Sequence, residues 1–324
     1  MAEPTLRRCD VAVIGSGPAG IAAACAVAEA GRDVLLLDES PRPGGQIWRH
    51  TASSPPLSAR KWLRRLERSS ASLESGAAVV DAEGRTDEGV PRFRLTVEQE
   101  GRGWTVDAGA LVLATGAREL FLPFPGWTLP NVYGVGGAQA LLKSGMSFAG
   151  KRVVVAGSGP LLLPVAAALT AAGARVALIA EQASLRNVSA FAAGLWRQPR
   201  KLLEAIRYRR GTLRSAYRTD SWVVLARGEG RLEQVDVMVR GRRRSLDCDV
   251  LCSGFGLVPN LSLPRLLGCA LEDGFESPPG GRFGAHQRNV PVRPASADTN
   301  RKVSRAINLI SQLLKPINKT LLRL

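Results

Sequence analysis

Gly15, Gly17 and Gly20 stand between two apolar runs, and that order leaves few folds open. Residues 11–15, VAVIG, form the continuous β-rich run expected of a strand buried in a parallel sheet. Ser16, Pro18 and Ala19 complete the turn. An alanine-rich helix is then predicted to about Ala30, closed by Gly31. Residues 34–38, VLLLD, read as a second buried strand that ends in Asp38. Each glycine has its own reason. Gly15 permits the tight turn, Gly17 lets backbone approach a pyrophosphate, and Gly20 lets the helix pack closely on the strand. Phosphates would then face free N–H groups at the positive end of a helix dipole. Asp38 lies about 20 residues beyond the glycines, where a carboxylate accepts ribose hydroxyls. This unit is predicted to bind the adenine half of a dinucleotide through Gly15, Ser16, Gly17, Pro18, Ala19, Gly20 and Asp38.

The order repeats from residue 152. RVVVAG at 152–157 is a strand, Gly157 and Gly159 open the turn, a helix runs to about Ala172, and RVALIAE at 175–181 ends in Glu181. The third glycine position holds Leu162, which is expected to obstruct close helix–strand packing. Pro164 falls early enough in the helix to be tolerated. A carboxylate at Glu181 suits an unphosphorylated ribose, so NAD or another adenine nucleotide is the candidate ligand here. A Rossmann-shaped domain kept for structure or partner contacts is the other reading.

Between the two units, FRLTVEQE and WTVDA alternate polar and apolar residues and read as a small β-meander. LVLATG follows. Its Ala114-Thr115-Gly116 end, with Glu39, Gly45 and Gln46 just past the first acid, resembles the flavoproteins with two dinucleotide-binding domains. In those proteins the Gly-Gly-Gln segment lies along the flavin and the Ala-Thr-Gly turn passes the pyrophosphate. The resemblance implies FAD as cofactor and two Rossmann-like, three-layer α/β domains of the FAD/NAD(P)-binding type, the second inserted in the first. Residues 1–125 plus about 252–295 are assigned to the FAD domain, and 126–251 to the inserted domain.

Longer stretches narrow the resemblance. RPGGQIWR, LPFPGWTLPNVYGVGGAQALLKSG, VVVAGSGPLLLPVAAAL and CDVLCSGFGLVPN together resemble the α-type subunits of hydrogen cyanide synthase, opine oxidase and D-hydroxyproline dehydrogenase complexes. That likeness implies an oxidoreductase subunit that works beside a β-type flavoprotein dehydrogenase and a small iron–sulfur subunit. No catalytic residue is assigned. The family's later acidic turn, Gly-Asp or Gly-Glu, has no counterpart after Glu229. From about 298 the composition changes, so a truncated or frame-shifted member is expected, with FAD held more weakly. Residues 298–324 carry an apolar stripe through Ile307, Ile310 and Leu314 among basic residues. They read as a membrane-surface or partner helix, or as cover for apolar surface.

Composition restricts the remaining classes. A hydrophobic share of 45% with 22% charged residues describes a globular chain rather than a disordered one. The formal charge of +16 comes without the aromatic platform of a single-strand binder, so basic faces toward solvent or an acidic partner are expected, not nucleic acid. Five cysteines without a Cys-x-x-Cys exclude a redox dithiol or metal knuckle of that type. No metal site is predicted. The pattern fits a reducing, cytoplasmic compartment, with peripheral membrane contact assigned to the tail alone.

Overall fold

The computed structural model describes residues 6–50, 55–87 and 90–269. The expected return segment beyond 269 and the tail at 298–324 lie outside the described residues. The chain splits into two compact units. Unit one holds residues 6–117 and 259–269, and unit two is Arg118–Val258. These crossings fall several residues outside the boundaries drawn on sequence, because the chain leaves and returns through short strands that sequence spacing does not mark.

In chain order, unit one runs β1 (Leu6–Ile14), α1 (Pro18–Glu29), β2 (Val34–Asp38), α2 (Leu57–Glu67), β3 (Ser72–Ser75), β4 (Ala77–Asp87), β5 (Val90–Gln99) and β6 (Arg102–Leu113). β7 (Ala117–Glu119) leads into unit two. There follow β8 (Val132–Gly134), α3 (Val135–Lys143), β9 (Arg152–Gly157), α4 (Leu162–Ala171) and β10 (Arg175–Glu181). Next come α5 (Leu185–Gly194), α6 (Pro199–Gly211), β11 (Ala216–Arg218), β12 (Ser221–Arg227), β13 (Gln234–Val239), β14 (Arg242–Asp247) and β15 (Val250–Gly254). β16 (Leu257–Pro259) pairs with β7, and α7 (Ser262–Leu266) follows.

Unit one is a six-stranded sheet in the order β3-β2-β1-β6-β5-β4. β1, β2, β3 and β6 are parallel, whereas β4, β5 and β6 form an antiparallel meander. The two runs read separately as WTVDA and LVLATG are therefore one strand: β6 pairs with β5 through its first half and with β1 along most of its length. Side chains alternate across the sheet as a pleat requires. Val34 and Leu36 face α1 and α2, while Leu35 and Leu37 face a second core shared with Leu95, Val97 and Val106. Gly31, with φ of 72°, ends α1: its N–H donates to Ala28 and that of Arg32 to Val27.

Unit two has a five-stranded parallel sheet, β11-β10-β9-β15-β8, and a separate antiparallel sheet, β12-β13-β14. One core packs the parallel sheet against α3 and α4, with Phe148, Val153, Val155 and Leu169 buried. The other packs it against the antiparallel sheet through Val154, Leu178, Val235 and Val237. This is an α/β fold built on two Rossmann-type parallel sheets, with the second unit inserted in the first. All five cysteines are free thiols. Burial pushes Cys9 and Cys248 up to about 11, so these thiols stay protonated at neutral pH. No helix among the described residues is long and apolar enough to cross a membrane.

Candidate functional site

In each unit the strand order reverses beside the first strand, between β1 and β6 and between β9 and β15. Open α/β sheets bind ligands at such points, outside the carboxyl ends of the strands. The glycines meet there. A Cβ on Gly15, which has φ of 101°, would lie 2.4 Å from the Ala114 carbonyl oxygen. One on Gly157 would lie 1.7 Å from that of Gly254. Ala114-Thr115-Gly116 thus stands directly against the first glycine turn. Gly254 is its counterpart in unit two, missed on sequence although the apolar run before it ends in Ser-Gly much as LVLATG ends in Thr-Gly.

Gly17 differs from its neighbours in the turn, because a Cβ there would meet nothing within 4 Å. It is the N-cap of α1, with Pro18 at the first helical position, Ala19 exposed, no side-chain cap and no acid in the first turn. The leading N–H groups of a helix have no intrahelical partners, so this end presents donors around an open space. Gly44 and Gly45 fold onto the turn. The Gly44 N–H donates to the Ser16 carbonyl at 2.8 Å, and a Cβ on Gly45 would come within 3.0 Å of Gly17 Cα. Gln46 is exposed. Beyond it, Trp48 Nε1 and Arg49 Nε are buried donors without a hydrogen-bond partner among the described residues. The room at Gly17 and the uncapped helix fit a bound dinucleotide.

Asp38 does more than its position at the strand end suggested. It is buried, and its Oδ2 accepts from the Ser16 hydroxyl at 2.7 Å and from the Ser16 N–H. Its Oδ1 accepts from the Ser40 N–H at 2.7 Å. Three of about four acceptor positions are thus used to brace the glycine turn. Glu39, next along, is exposed. Asn260 was not anticipated: its side-chain amide donates to the Thr115 carbonyl at 2.8 Å and its N–H to that of Gly116 at 3.1 Å. The residue just after the return strand therefore pins the Ala-Thr-Gly turn, a pairing 145 residues apart that no local pattern marks.

The second turn is built differently. Leu162 does not push α4 off the sheet, because the helix starts at Leu162 itself. That is two residues later in the motif than α1 starts. The residue is buried in the core. Where Ile21 N–H donates to Gly17 at 3.0 Å, Leu162 N–H reaches Gly159 at 3.4 Å in a tighter i to i−3 turn. Pro164 then falls within the first helical turn. Glu181 is buried and accepts from Ala183 N–H at 3.0 Å and Gly159 N–H at 3.2 Å. Burial raises its pKa above the ordinary glutamate value, against the lowering effect of these backbone donors. Since the folded-state pKa exceeds the unfolded one, this group's contribution to stability is complete below the unfolded pKa. It is lost as pH rises through the folded value. Glu181→Gln should therefore flatten the pH dependence of the urea midpoint just above the usual glutamate range. Parallel curves for the two proteins would refute the assignment.

A further carboxylate holds unit two together. Glu119 accepts from the N–H groups of Gly136 and Gly137 at 2.6 and 3.0 Å, at the start of α3. A Cβ on Gly134 would lie 2.1 Å from its Oε2 and collide with it, and one on Gly136 would be a tight contact at 3.2 Å from its Cδ. Among the described residues no cluster of His, Cys, Asp or Glu could hold a metal ion.

Paired Rossmann-type units, each with a glycine turn at its switch point, are the architecture of a protein that binds nucleotides. Residues 9–276 match the pyridine nucleotide-disulphide oxidoreductase family, and the chain belongs to it, a family of flavin-linked oxidoreductases. It is 32% identical over 280 residues to hydrogen cyanide synthase subunit HcnB of Pseudomonas aeruginosa, covering 81% of this chain and 60% of that protein. It is 34% identical over 307 residues to an opine oxidase subunit of Rhizobium meliloti strain 1021, covering 86% of this chain and 62% of that one. The chain thus spans about 60% of the length of these curated relatives. Among solved structures, the thioredoxin reductase of T. acidophilum shares the fold with a TM-score of 0.61 at 20% identity, over 82% of this chain and 83% of that one.

Proposed function

We propose that this chain is the FAD-binding, α-type subunit of an amine- or imino-acid-oxidising dehydrogenase complex of the cyanide synthase, opine oxidase or hydroxyproline dehydrogenase kind. The observation that carries the reading is the open position at Gly17, facing an uncapped helix end and overlaid by Gly44 and Gly45. In this reading the N–H groups of Gly17 and Ala19 hold the pyrophosphate, since Pro18 has none and that of Ser16 is taken by Asp38, and Glu39, with the acceptor position left on Asp38, takes the ribose. Gly45, Gln46 and Ala114-Thr115-Gly116 border the flavin side. When bound, FAD supplies reversible two-electron storage, while the protein orients it and tunes its surroundings. In unit two, Glu181 would accept only a nucleotide without a 2′-phosphate, such as NAD.

The partners in this reading are a β-type flavoprotein subunit that oxidises the substrate and a small iron–sulfur subunit. Two named subunits among the relatives support the expectation of a complex. No base or carboxylate clamp for an amino acid stands out among the described residues of either unit, so the substrate is assigned to the partner. Purified alone, the chain should bind FAD in calorimetric titration yet turn over no proline, hydroxyproline, glycine or opine with a dye acceptor. Turnover by the single chain would overturn the division of labour. Rapid bleaching of its flavin by NADH would favour a nicotinamide-dependent reductase instead.

A further inference from the structure

We infer that the outward face of α5 and α6 is the surface on which an acidic protein subunit docks. The inference rests on the proposed complex and names the place on this chain that would hold its β-type partner. None of the described residues of α5 or α6 is buried. Several large apolar side chains there are exposed: Phe191 is 56% exposed, Trp196 in the intervening 3₁₀ turn 71%, Leu203 67% and Ile206 41%. Isolated exposed leucines are ordinary, but large apolar groups exposed in succession on α5, the 3₁₀ turn and α6 mark an interaction surface.

Charge specifies the partner. Between residues 183 and 218 the only acid is Glu204. It is already engaged by Lys201 at 3.4 Å and by the Tyr208 hydroxyl at 2.9 Å. Arg200, Arg207 and Arg210 are exposed on the same stripe as Leu203 and Ile206. The complementary surface is therefore apolar at its centre and acidic around it. The same pattern argues against a lipid surface. At about 100° per residue, Arg207 stands roughly 40° from Leu203, and Arg210 roughly 40° from Ile206. A helix that lies in a bilayer interface separates its charged face from its apolar one. Here immersion of Leu203 and Ile206 would carry two guanidinium groups with them. A protein groove with carboxylates beside apolar pockets takes both.

The test titrates the full chain with its purified β-type flavoprotein subunit by calorimetry. Two patch variants are compared with wild type, the double variant Arg207→Glu with Arg210→Glu and the single variant Leu203→Asp. A control double variant, Arg242→Glu with Arg244→Glu on β14, makes the same charge change elsewhere. The patch variants should weaken association at least about tenfold, wild-type binding should fall as salt rises, and the control should stay near wild type. Circular dichroism spectra and melting temperatures, unchanged in all four proteins, show that the variants are folded. Tight wild-type binding that survives both patch variants overturns the docking surface and leaves the complex standing. No wild-type binding overturns both. A second arm uses vesicles of phosphatidylserine with phosphatidylcholine. Vesicle binding that the patch variants abolish, with the subunit titration unaffected, transfers the face to a membrane and overturns the proposal.

Discussion

Gly17→Val is expected to remove dinucleotide binding while leaving the fold in place. A Cβ at residue 17 meets no atom of the protein within 4 Å, and the backbone there, with φ of −66° and ψ of 179°, is one that any residue adopts. The cost to the fold is confined to the N-cap, where valine is a poorer choice than glycine by about 1 kcal/mol. The cost to the ligand is larger. The branched side chain projects into the space in front of the α1 amides, where the pyrophosphate would lie. Losing two charge-assisted hydrogen bonds forfeits roughly 3 kcal/mol, or about two decades of affinity at 1.4 kcal/mol per tenfold. FAD titrated against the two proteins should bind wild type and fail with the variant. Their ligand-free melting curves should stay close, and only wild type should gain stability with ligand. Undiminished affinity in a folded variant would remove unit one as the nucleotide site.

Sequence and structure agree best where a local rule has one solution. β2, β9 and β10 occupy the residue ranges read for them, because apolar runs that end in an acid, as β2 and β10 do, or in the turn glycine, as β9 does, leave little choice of ends. What escaped the sequence was set by distant partners. Nothing near Asn260 announces that it fastens the Ala-Thr-Gly turn. Glu119 looks like an ordinary surface acid until α3 folds and brings the Gly136 and Gly137 amides to it. Asp38 was read for a ribose, and it also braces Ser16, a role that only the folded turn creates. β4 lacks a clear alternation and becomes a strand through its pairing with β5, a tertiary effect that outweighs local pattern.

Gly20→Ala should show the opposite behaviour from Gly17→Val, although the two glycines belong to one motif. An added Cβ at residue 20 would lie 1.7 Å from the Gly15 carbonyl oxygen and 2.9 Å from its carbon. Those are backbone atoms, so no side chain can swing away, and α1 must lift from β1 or the turn must break. Alanine gains about 1 kcal/mol over glycine in a helix. Overpacking against backbone costs about 3 kcal/mol, at the upper end of the usual range. The collision prevails, and unit one should lose roughly 2 kcal/mol. Urea unfolding followed at Trp48 and Trp62, which belong to the α1–α2 core, should show an earlier transition. A midpoint at or above wild type would mean that the helix does not depend on the close approach. The reciprocal change in unit two should also destabilise. Leu162 fills the core against Val153 and Val155 at a helix that starts later, so Leu162→Gly leaves a cavity at a cost of about 2–5 kcal/mol. The same motif position thus requires glycine where the helix starts early and touches the turn, and leucine where it starts late.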